Sequence, residues 1–232
     1  MAKILFTKDS FIDDICLRKL LSIIDKNAFD LISDFSMTAY GLIFLTNEII
    51  LNSRRNILEF GSGLSTIVMA SFIKKYKIPA KITSVEHDDE WFCRIDAKIK
   101  ILGLEDFVTV IHAPLVPDHS IGNHNKWYDV SKLVCLTKEL RHFEMVLVDG
   151  PPAHSASIEL SRYGALPFVG PYLADNHCIF LDDANRTGEK KVVELWEEGK
   201  MAYFKQHRNR IAVSRMGLQM SSHPNLVQTN FW

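Results

Sequence analysis

The stretch Asn56–Thr66, NILEFGSGLST, joins a short apolar run to a glycine pair and passes at once into the apolar, helix-periodic residues 64–77. Such a run reads as a strand. The glycines let the chain turn tightly and let a ligand approach the backbone, and the helix that follows offers free N–H groups at its start. On its own, GxG is also what any tight strand-to-helix turn requires. Outward from it, further strand-like runs lie at 81–87 (KITSVEH), 108–113 (VTVIHA), 143–150 (FEMVLVDG) and 177–183 (HCIFLDD). Helix candidates at 64–77, 88–102, 129–141, 155–173 and 187–199 separate or follow them, and this alternation predicts βαβ units and a mostly parallel sheet in an α/β domain.

The chain closes differently. AYFKQHR (202–208) and RIAVSRM (210–216) are β-like runs with almost nothing between them, so they must pair as an antiparallel hairpin. Upstream, 10–34 and 38–52 read as helices on the apolar spacing of Ile12, Ile15, Leu20 and Ile24, then Leu42, Leu45 and Ile49. These are expected to cap the ligand edge of the sheet. The division is therefore a helical cap at 1–52, a core domain at 53–220 and a tail at 221–232 that reads as a loosely structured end or a partner-binding extension.

Composition narrows the function classes. With 47% hydrophobic and 24% charged residues the chain has an ordinary globular core and needs no disordered tract. A net charge of −1 and a pI near 6.8 provide no global field for a polyanion, so no nucleic-acid partner is expected, although Arg208 and Arg210 could form a local basic patch. Cys16, Cys93, Cys135 and Cys178 lack metal-type spacing and read as buried thiols in a reducing compartment. No run is long enough to span a membrane, so the cytoplasm is the expected location. Homo-oligomerisation is left open.

The chemistry-bearing residues gather at the predicted strand ends. Glu86 closes the second strand, where a carboxylate can accept two hydrogen bonds from a ribose diol; Asp88, Asp89 and Glu90 after it read as a helix start. His87 and His112 are equally readable as hydrogen-bonded strand-end histidines. Asp149 ends the fourth strand, followed by Gly150-Pro151-Pro152-Ala153-His154, and Asp182 and Asp183 end the fifth. Three adjacent carboxylates would repel one another, so a divalent cation or a network of base and arginine is expected among them. In the 114–129 connection, His119, His124, Trp127 and Tyr128 could stack on or hydrogen-bond a polar substrate, or anchor the loop to the core.

ILEFGSGLST, TSVEHDDEW, VIHAPL, VLVDGPP and IFLDDANR stand in the order and at the distances of the class I methyltransferases, which the chain resembles over roughly 36–216. A nicotinamide enzyme is the runner-up, but Thr66 occupies the third glycine position of its usual motif. The resemblance implies a Rossmann-like, mostly parallel seven-stranded sheet with a terminal antiparallel hairpin, and S-adenosylmethionine as cofactor. Carried over, Glu59, Gly61, Ser62, Gly63 and Ser65 would face the methionine part of the donor and Glu86 its ribose, with His87 a further cofactor-binding candidate. His112 and Ala113 would flank the adenine.

The acidic positions resemble those of catechol-type O-methyltransferases, in which a strand-four Asp and a strand-five Asp-Asn pair hold magnesium. Asp149, Asp182 and Asp183 would then hold Mg2+ or another divalent cation; in the rival arrangement Asp149 is a catalytic and cofactor-binding residue that orients the base or the donor. That group's lysine base is missing here and Asp183 replaces the Asn, so His154 is the candidate base and Arg162 a candidate holder of an anionic group. The VDGP segment resembles bacterial methyltransferases of polysaccharide and secondary-metabolite pathways, implying O-methylation of a sugar or glycan hydroxyl. A metal-dependent phenolic O-methyltransferase and a non-catalytic nucleotide-binding protein are the alternatives.

Overall fold

A computed structural model describes residues 8–33, 36–118, 125–138, 142–208 and 210–225. The chain begins with α1 (Lys8–Ile23), a 3-10 turn (Lys26–Leu31) and α2 (Ala39–Leu51). It continues through β1 (Asn56–Phe60), α3 (Leu64–Tyr76), β2 (Lys81–Glu86), α4 (Asp89–Leu102) and β3 (Val108–His112). A small excursion, β4 (Leu115–Pro117) and β5 (Lys126–Tyr128), precedes a 3-10 segment at Val130–Thr137 and β6 (Phe143–Val148). Then come α5 (Ala165–Val169), β7 (Leu173–Leu181), α6 (Thr187–Glu198), β8 (Phe204–His207) and β9 (Ile211–Met216).

The seven-stranded sheet has the order β3-β2-β1-β6-β7-β9-β8. Its first five strands run parallel, and β9 lies antiparallel to both β7 and β8, as the terminal hairpin predicts. The order reverses between β1 and β6. In an open parallel sheet this leaves a crevice beyond the strands' C-terminal ends, where ligands bind.

Both faces are covered, which suits the apolar run of β6 (FEMVLV) and the apolar end of β7 (CIFL). Side chains alternate across each strand. Ile57, Ile82, Met145, Leu147 and Phe180 therefore pack with α1, α2 and α3 on one face, and Leu58, Phe60, Val146, Val148 and Ile179 pack with Trp127, Val169 and Trp196 on the other. This alternation also places Glu59 on the α3 face, beside Ile57.

Several expectations are corrected. The helix expected over 10–34 stops at Ile23, because the Asp25 side chain accepts the Asn27 N–H and starts a separate 3-10 turn. Helix α2 does not cap the ligand edge: it is buried along the sheet, with Phe44 against Phe180 at 5.0 Å, and of the described residues before β1, Asp30, Leu31, Ser33, Ser36 and Met37 reach that edge. The helix expected over 129–141 is the 3-10 segment ending at Thr137; 139–141 lie outside the described residues. The one expected over 155–173 breaks into short 3-10 and α pieces, and β7 begins at Leu173, since Pro167 and Pro171 each remove a backbone donor.

The expected loop at 114–129 contains the β4–β5 hairpin, while His119 and His124 lie outside the described residues. Cys16 and Cys178 are buried, but Cys93 and Cys135 are exposed, against the expectation of buried thiols; all four are free. The tail up to residue 225 is anchored: Met220 N–H donates to Asn52 Oδ1 at 2.7 Å, and Ser222 Oγ donates to the buried Glu48, which also pairs with Arg215 at 2.7 Å. No helix among the described residues is long and apolar enough to cross a membrane.

Candidate active site

A cavity of about 570 Å3 lies at the switch point of the sheet, within the ~300–1,000 Å3 usual for small-molecule sites. Its wall joins the Gly61–Ser65 turn, Glu86, His87 and Trp91 to Tyr128, Asp149, His154, Arg162 and Asp183. Two glycines bring the halves together. Gly61 adopts φ +92, and a Cβ there would lie 2.8 Å from the Gly150 nitrogen, so any side chain would force β1 and β6 apart at their tips.

On the β1–β2 side the carboxylates are fully engaged. Glu86 Oε2 accepts from Ser62 N and Oγ at 3.1 and 3.0 Å; Oε1 accepts from the backbone N–H of His87 and Asp88 at 2.8 and 2.9 Å, with His87 Nδ1 at 2.8 Å. Burial opposes its charge, yet the His87 and Asp88 hydrogen bonds outweigh it and hold the carboxyl below the ordinary range. Trp91 donates its indole N–H to Ser62 O at 2.8 Å, fastening the turn from the α4 side.

Glu59 does not line the cavity. As the strand alternation requires, it is buried under α3 and accepts from the hydroxyls of Ser65, Thr66 and Ser84 at 2.5, 2.5 and 2.7 Å. It braces the turn from below, and burial lifts its carboxyl to about 7. Ser65 lines the wall, but its hydroxyl is spent on Glu59. His112 and Ala113 are also absent from the wall: His112 Nε2 lies 3.2 Å from His87 O, and Ala113, fully buried, donates its N–H to Glu86 O.

On the β6–β7 side the carboxylates meet arginines instead. Asp149, Asp182 and Asp183 each place one carboxylate oxygen within 4.8 Å of the others. Arg162, 3% exposed, reaches into the cluster from the 3-10 turn at Ser161–Gly164. Its nitrogens donate to the backbone carbonyls of Pro151, Asp182 and Asp149 at 3.3, 3.0 and 2.9 Å. Its contacts to the carboxylates of Asp149, Asp183 and Glu189 are longer, 3.4–3.5 Å. Arg162 therefore knits the two strand ends together through backbone carbonyls and also lines the cavity.

Arg186 and Arg210 hold Asp183, at 2.9 and 3.1 Å, in a left-handed backbone conformation (φ +56). Arg208 stacks on Tyr40 at 4.4 Å and pairs with Asp13, so the two arginines of the expected basic patch are both engaged in ion pairs. Asp182 is different: both its carboxylate oxygens are buried without a hydrogen-bond donor among the described residues, as are those of Glu189, a residue the sequence analysis missed. Burial, followed by the Asp182 charge, pushes the Asp149 carboxyl well above its ordinary range; burial and Asp183 raise Asp182.

Of the aromatic pair assigned to substrate, Trp127 belongs to the core. It packs 5.1 Å from Phe60 and so close to Gly164 that a Cβ there would come within 2.5 Å of its ring. Tyr128 lines the cavity, fully buried. His154 is exposed at the rim. Asp30, Leu31, Ser33, Ser36, Met37 and Arg94 also line the wall, and none was anticipated, since they come from a turn and a helix face remote in sequence from the strand ends.

No family model matches the chain, and no curated protein does. Solved structures do. An S-adenosylhomocysteine-bound methyltransferase of Podospora anserina superposes with a TM-score of 0.59 at 15% identity, covering 94% of this chain and 100% of its own. An O-methyltransferase of Bacillus cereus in complex with S-adenosylhomocysteine gives 0.57 at 14%, covering 92% and 94%. The O-methyltransferase involved in tomaymycin synthesis in Streptomyces achromogenes, in complex with S-adenosylmethionine, gives 0.57 at 13%, covering 93% of each chain. At these identities the likeness is one of fold: a Rossmann-like methyltransferase fold.

Proposed function

We propose that this protein is an S-adenosylmethionine-dependent O-methyltransferase acting on a hydroxyl of a sugar or glycan, as in polysaccharide biosynthesis. The observation that carries the reading is the single cavity that joins the glycine turn and Glu86 to the Asp149 and Asp183 carboxylates. The donor's methionine part would lie along Gly61–Gly63. Its ribose diol would take the acceptor directions on Glu86 now filled by the Ser62 hydroxyl and His87 Nδ1.

The acceptor would enter from the 26–37 segment, where Asp30, Ser33 and Ser36 offer polar groups suited to a polyol. The aromatic wall residues, Trp91 and Tyr128, stand with the glycine turn, away from this polar group. The acceptor oxygen attacks the sulfonium methyl in line, the C–S bond breaks and S-adenosylhomocysteine is left. His154, at the rim, can pass the hydroxyl proton to solvent.

The orphaned, buried Asp182 carboxylate and the three converging oxygens fit a hard divalent cation, with Asp149, Asp182 and Asp183 as its holders. When bound, such an ion orients the acceptor hydroxyl and lowers the cost of its deprotonation. Arg162, Arg186 and Arg210 engage Asp149 and Asp183 and leave the Asp182 carboxylate without a hydrogen bond among the described residues. Calorimetry tests the reading: micromolar binding of S-adenosylmethionine or S-adenosylhomocysteine is expected, and binding of NAD in the absence of both would overturn it.

A further inference from the structure

Glu189 belongs to the acidic cluster but has no part in the site described above. It lies in the first turn of α6, fully buried, and is not among the residues that line the cavity. Its oxygens receive no hydrogen bond among the described residues, and the cations beside it are Arg162 Nη1 at 3.5 Å and Arg186 Nη1 at 3.8 Å. Burial raises its carboxyl above the ordinary range, against the pull of the two guanidiniums. A buried acid this loosely paired is poor evidence of a role in stability.

The packing of α6 holds it in place. Gly188 abuts the loop that leads to Arg162: a Cβ there would lie 2.4 Å from Glu159 O. Trp196, two turns further on, donates its indole N–H to Tyr163 O at 2.9 Å. Helix α6 is thus fastened at both points to the segment that carries Arg162. Arg162 then stands between two sets of carboxylates, with Nη2 3.4 and 3.5 Å from Asp149 and Asp183 and Nη1 3.5 Å from Glu189. Arg186 is shared in the same way, 2.9 Å from Asp183 and 3.8 Å from Glu189.

We infer that Glu189 is a positioning residue for a divalent cation: it offsets the charge of Arg162 and Arg186 and so keeps the Asp149, Asp182 and Asp183 oxygens able to take the ion. This rests on the cation reading of that cluster. Counted as ionised, the four carboxylates of Asp149, Asp182, Asp183 and Glu189 exceed the three guanidiniums of Arg162, Arg186 and Arg210 by one negative charge. With Glu189 neutral the two sets balance, and an arriving cation meets a cluster without net charge in a buried place where Coulomb forces are weakly screened. Arg162 and Arg186 would then turn their whole charge on Asp149 and Asp183. Glu189 acts through the arginines and does not itself reach the ion.

The experiment measures Mn2+ binding, from the electron paramagnetic resonance of the free ion, in wild type, Glu189→Gln, Arg186→Met and the double variant, with calorimetric titration of S-adenosylhomocysteine alongside. Arg186 is the arginine to remove because its side chain is 36% exposed and Asp183 keeps Arg210 at 3.1 Å. Glu189→Gln should weaken Mn2+ binding by about 5- to 30-fold, Arg186→Met should tighten it by about 3-fold or more, and the double variant should return to within about 3-fold of wild type. The Kd of S-adenosylhomocysteine should stay within about 3-fold throughout. A loss below about 5-fold in Glu189→Gln, a loss that Arg186→Met does not reverse, or a parallel loss of S-adenosylhomocysteine binding would overturn the inference. If Glu189→Gln does not fold, Arg186→Met decides alone, and an unchanged or weaker Mn2+ Kd overturns it. Wild type that binds S-adenosylhomocysteine but no Mn2+ would instead defeat the cation reading on which the inference rests.

Discussion

Two buried acidic regions lie beside one cavity and are stabilised in opposite ways. At the β1–β2 edge, Glu59 and Glu86 accept hydrogen bonds from hydroxyl and N–H groups of the turn and of β2 and its end. At the β6–β7 edge, Asp182 and Glu189 face guanidinium groups at 3.5 Å or more and receive no hydrogen bond among the described residues. The first edge is preorganised before any ligand arrives. The second is balanced in charge but unsatisfied in hydrogen bonding, and buried groups in that condition call for a partner. A preorganised half suits a donor bound in the same way at each turnover, and an unsatisfied half suits the place where charge develops.

The contrast breaks most visibly at Asp182. Asp182→Asn should lower kcat/KM by on the order of 10²–10³-fold while leaving the Kd of S-adenosylmethionine within about 3-fold. Manganese binding, followed by the electron paramagnetic resonance of the free ion, should be lost in the same variant. Turnover that survives both EDTA and this substitution would remove the cation and leave the arginines as sole partners of the cluster.

Glu59 sharpens the comparison from the other edge, through stability. Its folded carboxyl sits at about 7 against an unfolded value of 4.5, so between those two pH values the unfolded chain releases the proton first. Stability from this group is therefore full below about 4.5 and is lost as pH rises toward 7. Urea unfolding at pH 5 and pH 8 should show a drop between the two that is larger in wild type than in Glu59→Gln, by on the order of 2–4 kcal/mol. Equal drops would mean that the serine and threonine hydroxyls hold Glu59 ionised throughout.

Much of this layout was legible before any coordinates. Strand ends are the places where periodicity, a glycine pair and a lone carboxylate coincide, so Gly61, Glu86, Asp149 and Asp183 could be placed from spacing alone. Orientation was harder. Glu59 looked like a ligand contact until strand alternation put it beneath α3 with Ile57, an inference the residue pattern allowed but the motif obscured. Arg162 stood close enough to Asp149 to be noticed, yet nothing in the sequence shows that its donors go to backbone carbonyls. The 26–37 wall was illegible because its residues follow no period, and tertiary packing alone brings them to the cavity.

Glu86→Ala should weaken donor binding by about 1–3 kcal/mol, through lost charge-assisted hydrogen bonds. Acceptor KM should be little changed, since the two edges do separate jobs. If instead acceptor KM rises as much as donor Kd, the Ser62 turn that Glu86 holds is shaping both halves, and the division between them is not one of function.

The smallest effect is expected at His154, where the sequence placed a general base. A base that abstracts the acceptor proton must reach within about 2.6–3.2 Å of it and typically contributes 10²–10⁴-fold. His154 stands exposed at the rim, on the loop after Gly150-Pro151-Pro152, whereas the converging oxygens of Asp149, Asp182 and Asp183 lie deeper. At an exposed position water can take over a proton relay. His154→Ala should therefore change kcat by no more than about 3-fold, with the same pH profile. A loss of 10²-fold or more that spares donor binding, in an enzyme indifferent to EDTA, would move the chemistry from the aspartate cluster to the rim and reverse the assignment of the unsatisfied edge.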